Sequence, residues 1–128
     1  MKEMVKAKTN KSAKGYVDAY LMVISKKNFP AYKKIAVQYA KIVVEYGALE
    51  CREFIGDDLP ADKYPALLKA TKNEVIVTSM VSFVSKANRN KVNKKVMADE
   101  RMKKMMNMMP LFDMKKMMYG GFKAFVEL

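Results

Sequence analysis

The chain has 128 residues, 51% hydrophobic and 30% charged, with a formal net charge of +12. That length suits one domain burying about two-thirds of its unfolded surface, and the balance is that of a soluble globular chain, not a disordered one. With no histidine and one cysteine, Cys51, an intramolecular disulfide, a Ser–His or Cys–His nucleophile pair, a multi-cysteine metal centre and a histidine-held haem are excluded.

Residues 1–14 form a lysine-rich polar stretch without an apolar h-region, read as a basic flexible extension and not a secretory signal. A single domain over 15–128 follows. Its first element, "YVDAYLMVI" at 16–24, alternates Val17, Ala19, Leu21 and Val23 against Asp18, Tyr20, Met22 and Ile24. That is the pattern of a strand covered on both faces. From Lys27 the period changes. Phe29, Tyr32, Ile35, Ala36, Tyr39, Ile42, Val43 and Tyr46 recur every three or four residues, with Asn28 to cap the helix, Pro30 in its first turn and Gly47 at its end.

"ALECREFI" at 48–55 reads as a second strand, with Leu49, Cys51, Glu53 and Ile55 on one face and Glu50, Arg52 and Phe54 on the other. "GDDLPADKYP" is a loop and "ALLKA" one helical turn. "EVIVTSMVSF" at 74–83, rich in β-branched residues, is the third strand. Ser85 caps a polar helix whose narrow apolar stripe contains Val92 and Val96. A short helix is expected around 100–106 and a break at Pro110. "YGGFKAFVEL" closes the chain as a fourth strand running to its end.

The order β-α-β-β-α-β predicts an α+β, ferredoxin-like fold: a four-stranded antiparallel sheet with helices on one face. The other face is expected to carry Tyr20, Met22, Phe54, Met80 and Phe125, too apolar to stay wet. A homodimer that packs two such sheets into a barrel follows.

The blocks "YVDAYL", "GALECREFIGDD", "KVNKKVMADER" and "MPLFDMKKMMYGGFK" together resemble, in order, the signatures of the YbaA-like bacterial family. That family is a domain of unknown function in the dimeric α+β barrel superfamily. The resemblance implies the dimeric barrel; it implies no reaction. Cys51 stands where the family has an aromatic residue, Glu100 where it has proline, and Met80 where tryptophan is common.

Eight of the thirteen methionines fall within 101–122. Soft thioethers can hold Cu(I), but no histidine or cysteine anchors an ion here, and methionine fills irregular gaps readily. Packing is the expectation, with no metal and no resident cofactor. Asp57 and Asp58 are explained by turn chemistry, Gly120-Gly121 by a bulge or a close backbone approach.

Asp18, Glu50 and Arg52, assigned to the barrel interior, form the candidate catalytic group: Arg52 to bind a carboxylate or enolate, Asp18 or Glu50 as base. The alternative is an ion pair that fixes strand register. Tyr20, Met80 and Tyr119 are expected to line the ligand pocket. The leading functional expectation is a cytoplasmic, membrane-free homodimer holding a small organic ligand inside its barrel, in the manner of a cofactor-free monooxygenase or isomerase; whether it catalyses anything stays open. The alternative is an RNA-binding accessory protein using the tail and Lys86, Arg89, Lys91, Lys94 and Lys95. Without a recognised motif, attraction to nucleic acid is expected to be weak and sequence-blind.

Overall fold

The computed structural model describes residues 15–107 and 114–128; the basic extension expected at 1–14 and the break at Pro110 lie outside the described residues. The elements among them are β1 Tyr16–Ser25, α1 Phe29–Glu45, β2 Glu50–Ile55, α2 Tyr64–Leu68, β3 Glu74–Phe83, α3 Lys86–Ala98, α4 Glu100–Asn107 and β4 Met118–Lys123, with a 3-10 turn at Met114–Lys116. The strands pair antiparallel in the order β2-β3-β1-β4. This is the ferredoxin-like sheet that the element order predicts.

Because side chains alternate along a strand, the register assigns every strand residue to a face. Tyr16, Tyr20, Met22 and Ile24 of β1 sit with Val77, Val81 and Phe83 of β3. This face is sealed by the helices: Tyr16, Val81 and Phe83 pack with Ile42 and Val43 of α1 and Val92 and Val96 of α3. Met22, Ile24 and Val77 pack with Tyr32 of α1. Each large apolar side chain fully buried here contributes roughly 1.5–3 kcal/mol.

The opposite face carries Leu21 and Val23 with Ile76, Thr78 and Met80, Phe54 on β2 and Phe122 on β4. One end of it is covered by Leu68 of α2 with Leu59 and Ala70, against Val23 and Ile76. Elsewhere it is open in the protomer: Met80 is 41% exposed and Phe122 59%.

Two expectations are corrected by this register. Tyr20 and Met22 belong to the helix-covered face, because they share rows with Ser79 and Val77, not with Met80. The fourth strand begins at Met118 and stops at Lys123, leaving Phe125 beyond it and 94% exposed.

Local chemistry fixes the joints. Ser85 Oγ accepts the Asn88 N–H and caps α3, whereas Asn28 makes no side-chain cap; its own N–H donates to Ser25 Oγ. Gly47 leaves α1 at φ +123°, a conformation that favours glycine. Gly121 lies under Tyr16 and Arg89: a Cβ there would stand 2.0 Å from Tyr16 Oη and 2.5 Å from Arg89 Nη2. The second glycine of the pair is thus a close approach, as expected. At the α3–α4 junction, Tyr46 Oη donates to Asp99 Oδ2 at 2.7 Å, and Arg101 bonds both Asp99 and Glu45. Those donors, Arg101 first and Tyr46 next, hold the Asp99 carboxyl well below the usual carboxylate range.

Candidate functional site

The sheet separates the three residues expected to act together. Asp18 pairs across the sheet with Val81 and faces the helices; Glu50 and Arg52 pair with Ser82 and Met80 and face the open side. Asp18 is buried, with Arg89 Nε 3.3 Å from its Oδ1 and Asn93 Nδ2 donating to its Oδ2 at 3.1 Å. Arg89 also donates to Tyr16 Oη at 2.8 Å and lies over that ring. It is therefore turned inward, while Lys86, Lys91, Lys94 and Lys95 of α3 are exposed. Arg52 is exposed and stacks over Phe54, 4.9 Å from the ring centroid. The arrangement gives Asp18 a partner in α3 and gives Arg52 an aromatic platform; it brings neither to the other.

The three residues expected to line a pocket are separated as well. Met80 is on the open face, Tyr119 stacks on Tyr20 with centroids 5.8 Å apart, and of the three Tyr20 alone lines the cavity on the helix side.

That cavity, about 440 Å³, lies between the helices and the sheet. Tyr32, Ile35, Ala36 and Tyr39 of α1 form one wall, and their spacing along the helix stripe puts them on the same side. Met102, Met105 and Met106 of α4 form the roof, joined by Met97 and Met117. The floor is Tyr20 and Met22 of β1, Glu53 of β2 and Ser79 of β3. A second chamber, also about 440 Å³, flanks α1 on the β2 side, lined by Phe29, Lys33, Val37, Cys51, Phe54 and Ile55 among others. Tyr32, Ala36 and Glu53 belong to both chambers.

Polar groups at the floor are few: Glu53, Ser79 and Tyr20. They stand opposite one another in register and, continued by Tyr119 outside the cavity, make a row across the whole sheet, one residue from each strand. Tyr32 Oη donates to Glu53 Oε1 at 2.5 Å. Burial raises the Glu53 pKa from its ordinary 4.5, and the Tyr32 hydrogen bond pulls the other way without cancelling it. Burial also raises the pKa values of Tyr32, Tyr39 and Tyr20; the Tyr39 and Tyr20 hydroxyls share a hydrogen bond. These three hydroxyls are therefore neutral donors at ordinary pH. Cys51, next to this row, is pushed up to about 11 by burial and by Glu53, which makes it an inert thiol. No group of three or more His, Cys, Asp or Glu among the described residues could hold a metal ion.

Glu53, Ser79, Tyr32 and Tyr39 were not singled out from the sequence. Two signals were available. Glu53 is the one charged residue on a strand face otherwise made of Leu49, Cys51 and Ile55, and Ser79 interrupts the valine run of 75, 77 and 81.

The fold is that of a four-stranded antiparallel α+β domain shared with solved structures of low identity. One is a dimeric ferredoxin-like protein from an uncultured marine organism, with TM-score 0.59, 9% identity, and coverage of 94% of this chain and 96% of that one. Another is a mutant form of SnoaB, a cofactor-independent oxygenase from Streptomyces nogalater, with TM-score 0.55, 9% identity, and coverage of 91% and 98%. At such identity the likeness concerns the fold alone. Within that fold the chain belongs to the family described as "protein of unknown function (DUF1428)", whose model matches residues 15–114. It is 36% identical over 115 residues to the uncharacterized protein YbaA of Escherichia coli strain K12, covering 88% of this chain and 97% of YbaA. The same figures hold for YbaA of Shigella flexneri. Among the described residues no helix is long and apolar enough to cross a membrane.

Proposed function

We propose that the cavity under α4 binds a small, largely apolar organic molecule carrying one acidic proton, and that Glu53 takes that proton. The observation that carries this reading is a half-buried carboxyl at the floor of a chamber of methionines and tyrosines, its pKa raised by lost hydration. A carboxylate so destabilised is a stronger base, tuned toward neutral pH. In the transfer a C–H or O–H bond of the ligand breaks heterolytically. The electron pair stays on the ligand as an enolate or phenolate, and the proton goes to a Glu53 carboxylate oxygen. Tyr32, hydrogen-bonded to the same carboxyl, orients it. This step needs no cofactor, and it begins both cofactor-free oxygenation and isomerisation. The fold shared with a cofactor-independent oxygenase is compatible with such chemistry and carries nothing finer.

The protein acts as a homodimer in this reading, with a second copy on the open sheet face. Exposed Phe54, Met80, Met118 and Phe122 on that face support it, as does the dimeric ferredoxin-like neighbour.

The test is calorimetric titration with 1-naphthol as probe. The wild-type chain binds it, and affinity rises with pH as Glu53 ionises. Glu53→Gln keeps the fold and flattens that pH dependence. Ala36→Trp, which fills space common to both chambers, abolishes binding. Undiminished binding by Ala36→Trp would place the ligand elsewhere and end the proposal.

A further inference from the structure

Ser79 is 2% exposed, and its Oγ is buried without a hydrogen-bond partner. Its hydroxyl approaches the Cys51 thiol, whose ionised form a hydrogen bond from Ser79 would stabilise; by geometry the Oγ is left without a partner, and a neutral thiol is a weak acceptor. An unpaired buried hydroxyl destabilises the fold. The strand had an alternative: Val77 and Val81, the residues before and after Ser79 on the same face, are both valine. A polar atom in this position therefore calls for a partner that comes from the cavity it lines.

Its place in the sheet says what that partner is. Ser79 stands directly between Glu53 on β2 and Tyr20 on β1, about one strand spacing, ~4.8 Å, from each. Glu53 is the group that accepts a proton. Ser79 and Tyr20 carry hydroxyls, and a hydroxyl donates to a ligand oxygen. Among the described residues no lysine or arginine lines this chamber, so charge that develops on a ligand here is stabilised by hydroxyl donors.

We infer that the ligand is a planar, conjugated hydroxy-carbonyl compound of the cyclic 1,3-dicarbonyl type. Its enol hydroxyl faces Glu53, and its carbonyl oxygen, one strand spacing away, faces Ser79 and Tyr20. This rests on the proposed role of Glu53 and adds the ligand's second polar group. When the enol O–H bond breaks, the proton passes to the carboxylate. The electron pair delocalises through the conjugated carbons onto the carbonyl oxygen, where Ser79 and Tyr20 donate to it. A ring holds the two oxygens apart, so they cannot satisfy one another and both need the protein. The methionines above suit a flat ring, since thioethers pack favourably against aromatic faces and edges and adapt to shape.

Three bicyclic probes test the assignment by calorimetry with the full chain: 4-hydroxycoumarin has both oxygens, coumarin only the carbonyl function, and 1-naphthol only the hydroxyl. Wild type is expected to bind 4-hydroxycoumarin at least about tenfold more tightly than either of the others, the loss one unpaired hydrogen bond causes. Ser79→Ala weakens 4-hydroxycoumarin about tenfold and leaves 1-naphthol unchanged, and Tyr20→Phe shifts the same probe in the same direction. In the ligand-free protein Ser79→Ala raises the thermal midpoint, because it removes an unsatisfied group. Should Ser79→Ala bind all three probes as wild type does, or should 1-naphthol match 4-hydroxycoumarin in wild type, the hydroxy-carbonyl assignment is overturned while the cavity reading stands. If none of the three binds, both fall.

Discussion

On one face of the sheet, Tyr16, Ile24, Val81 and Phe83 are sealed beneath α1 and α3; on the other, Phe54, Met80, Met118 and Phe122 meet solvent in the protomer. The residue types differ little, yet the two faces are proposed to do different work. The sealed face holds the core and, where α4 lifts from it, the cavity with its row of polar groups. The open face holds an aliphatic and aromatic surface with one stacked arginine. Apolarity therefore does not tell a ligand site from an assembly surface. In the proposed reading, what tells them apart is the row of Glu53, Ser79 and Tyr20 that the cavity gathers.

Substitutions on the two faces should break or sharpen this contrast. The largest effect is expected at Phe83, fully buried under the helices: Phe83→Ala lowers the unfolding free energy by about 3–5 kcal/mol in urea titration. Asp18→Ala follows at about 3 kcal/mol, because it strands the Arg89 guanidinium without its carboxylate. The variant that stays folded should still bind 1-naphthol, since Asp18 does not line the chamber. Loss of naphthol binding at full folding would return Asp18 to the site.

On the open face, Met80→Lys combined with Phe122→Lys should leave helical content unchanged. Light scattering at micromolar concentration should fall from twice the chain mass to 14.6 kDa. A double variant that remains dimeric puts the interface elsewhere.

A smaller effect comes from pH. Burial raises the folded-state pKa of Glu53 above the ordinary 4.5, so its contribution is fully present below that value and is lost as pH rises through the raised one. Wild type should therefore lose stability across the mildly acidic range in urea melts, and Glu53→Gln should lose less. Parallel curves for the two proteins would show that the surroundings of Glu53 do not raise its pKa.

The smallest effect separates inward from outward bases on α3. Lys91→Glu with Lys94→Glu should weaken attraction to RNA and DNA of any sequence, an attraction expected to be slight at physiological salt. Tight, sequence-selective binding at that salt would favour a nucleic-acid role.

Much of the fold was legible. The change from period two at 16–24 to a helical stripe at 29–46, the β-branched run at 74–83 and the Ser85 cap each became the element expected. What the sequence did not carry was the identity of the sheet's two faces. In β1 both alternating sets are apolar, so periodicity gives two faces without saying which one the helices take. The choice of Asp18 with Glu50 and Arg52 depended on that assignment, and the pairing Cys51↔Val81↔Asp18 places Glu50 and Arg52 on the other side. The row Glu53–Ser79–Tyr20–Tyr119 was still less visible. It takes one residue from each of four strands, and only the inter-strand register makes them neighbours. A slip of one residue in β2 would put Arg52 or Phe54 in place of Glu53.

The clustering of tyrosines around the cavity has an optical consequence. The chain has seven tyrosines and no tryptophan, so its near-ultraviolet absorption and emission are those of tyrosine. Tyr20, Tyr32 and Tyr39 line the chamber, and Tyr119, 72% exposed, stacks on the first of them. More than half of the chromophores thus stand at or next to one site. A phenol hydrogen-bonded to a carboxylate, as Tyr32 is to Glu53, emits weakly. A ligand that displaces that bond should brighten it, and one that stacks among the rings should quench the others. The protein carries its own spectroscopic readout of occupancy, without any label.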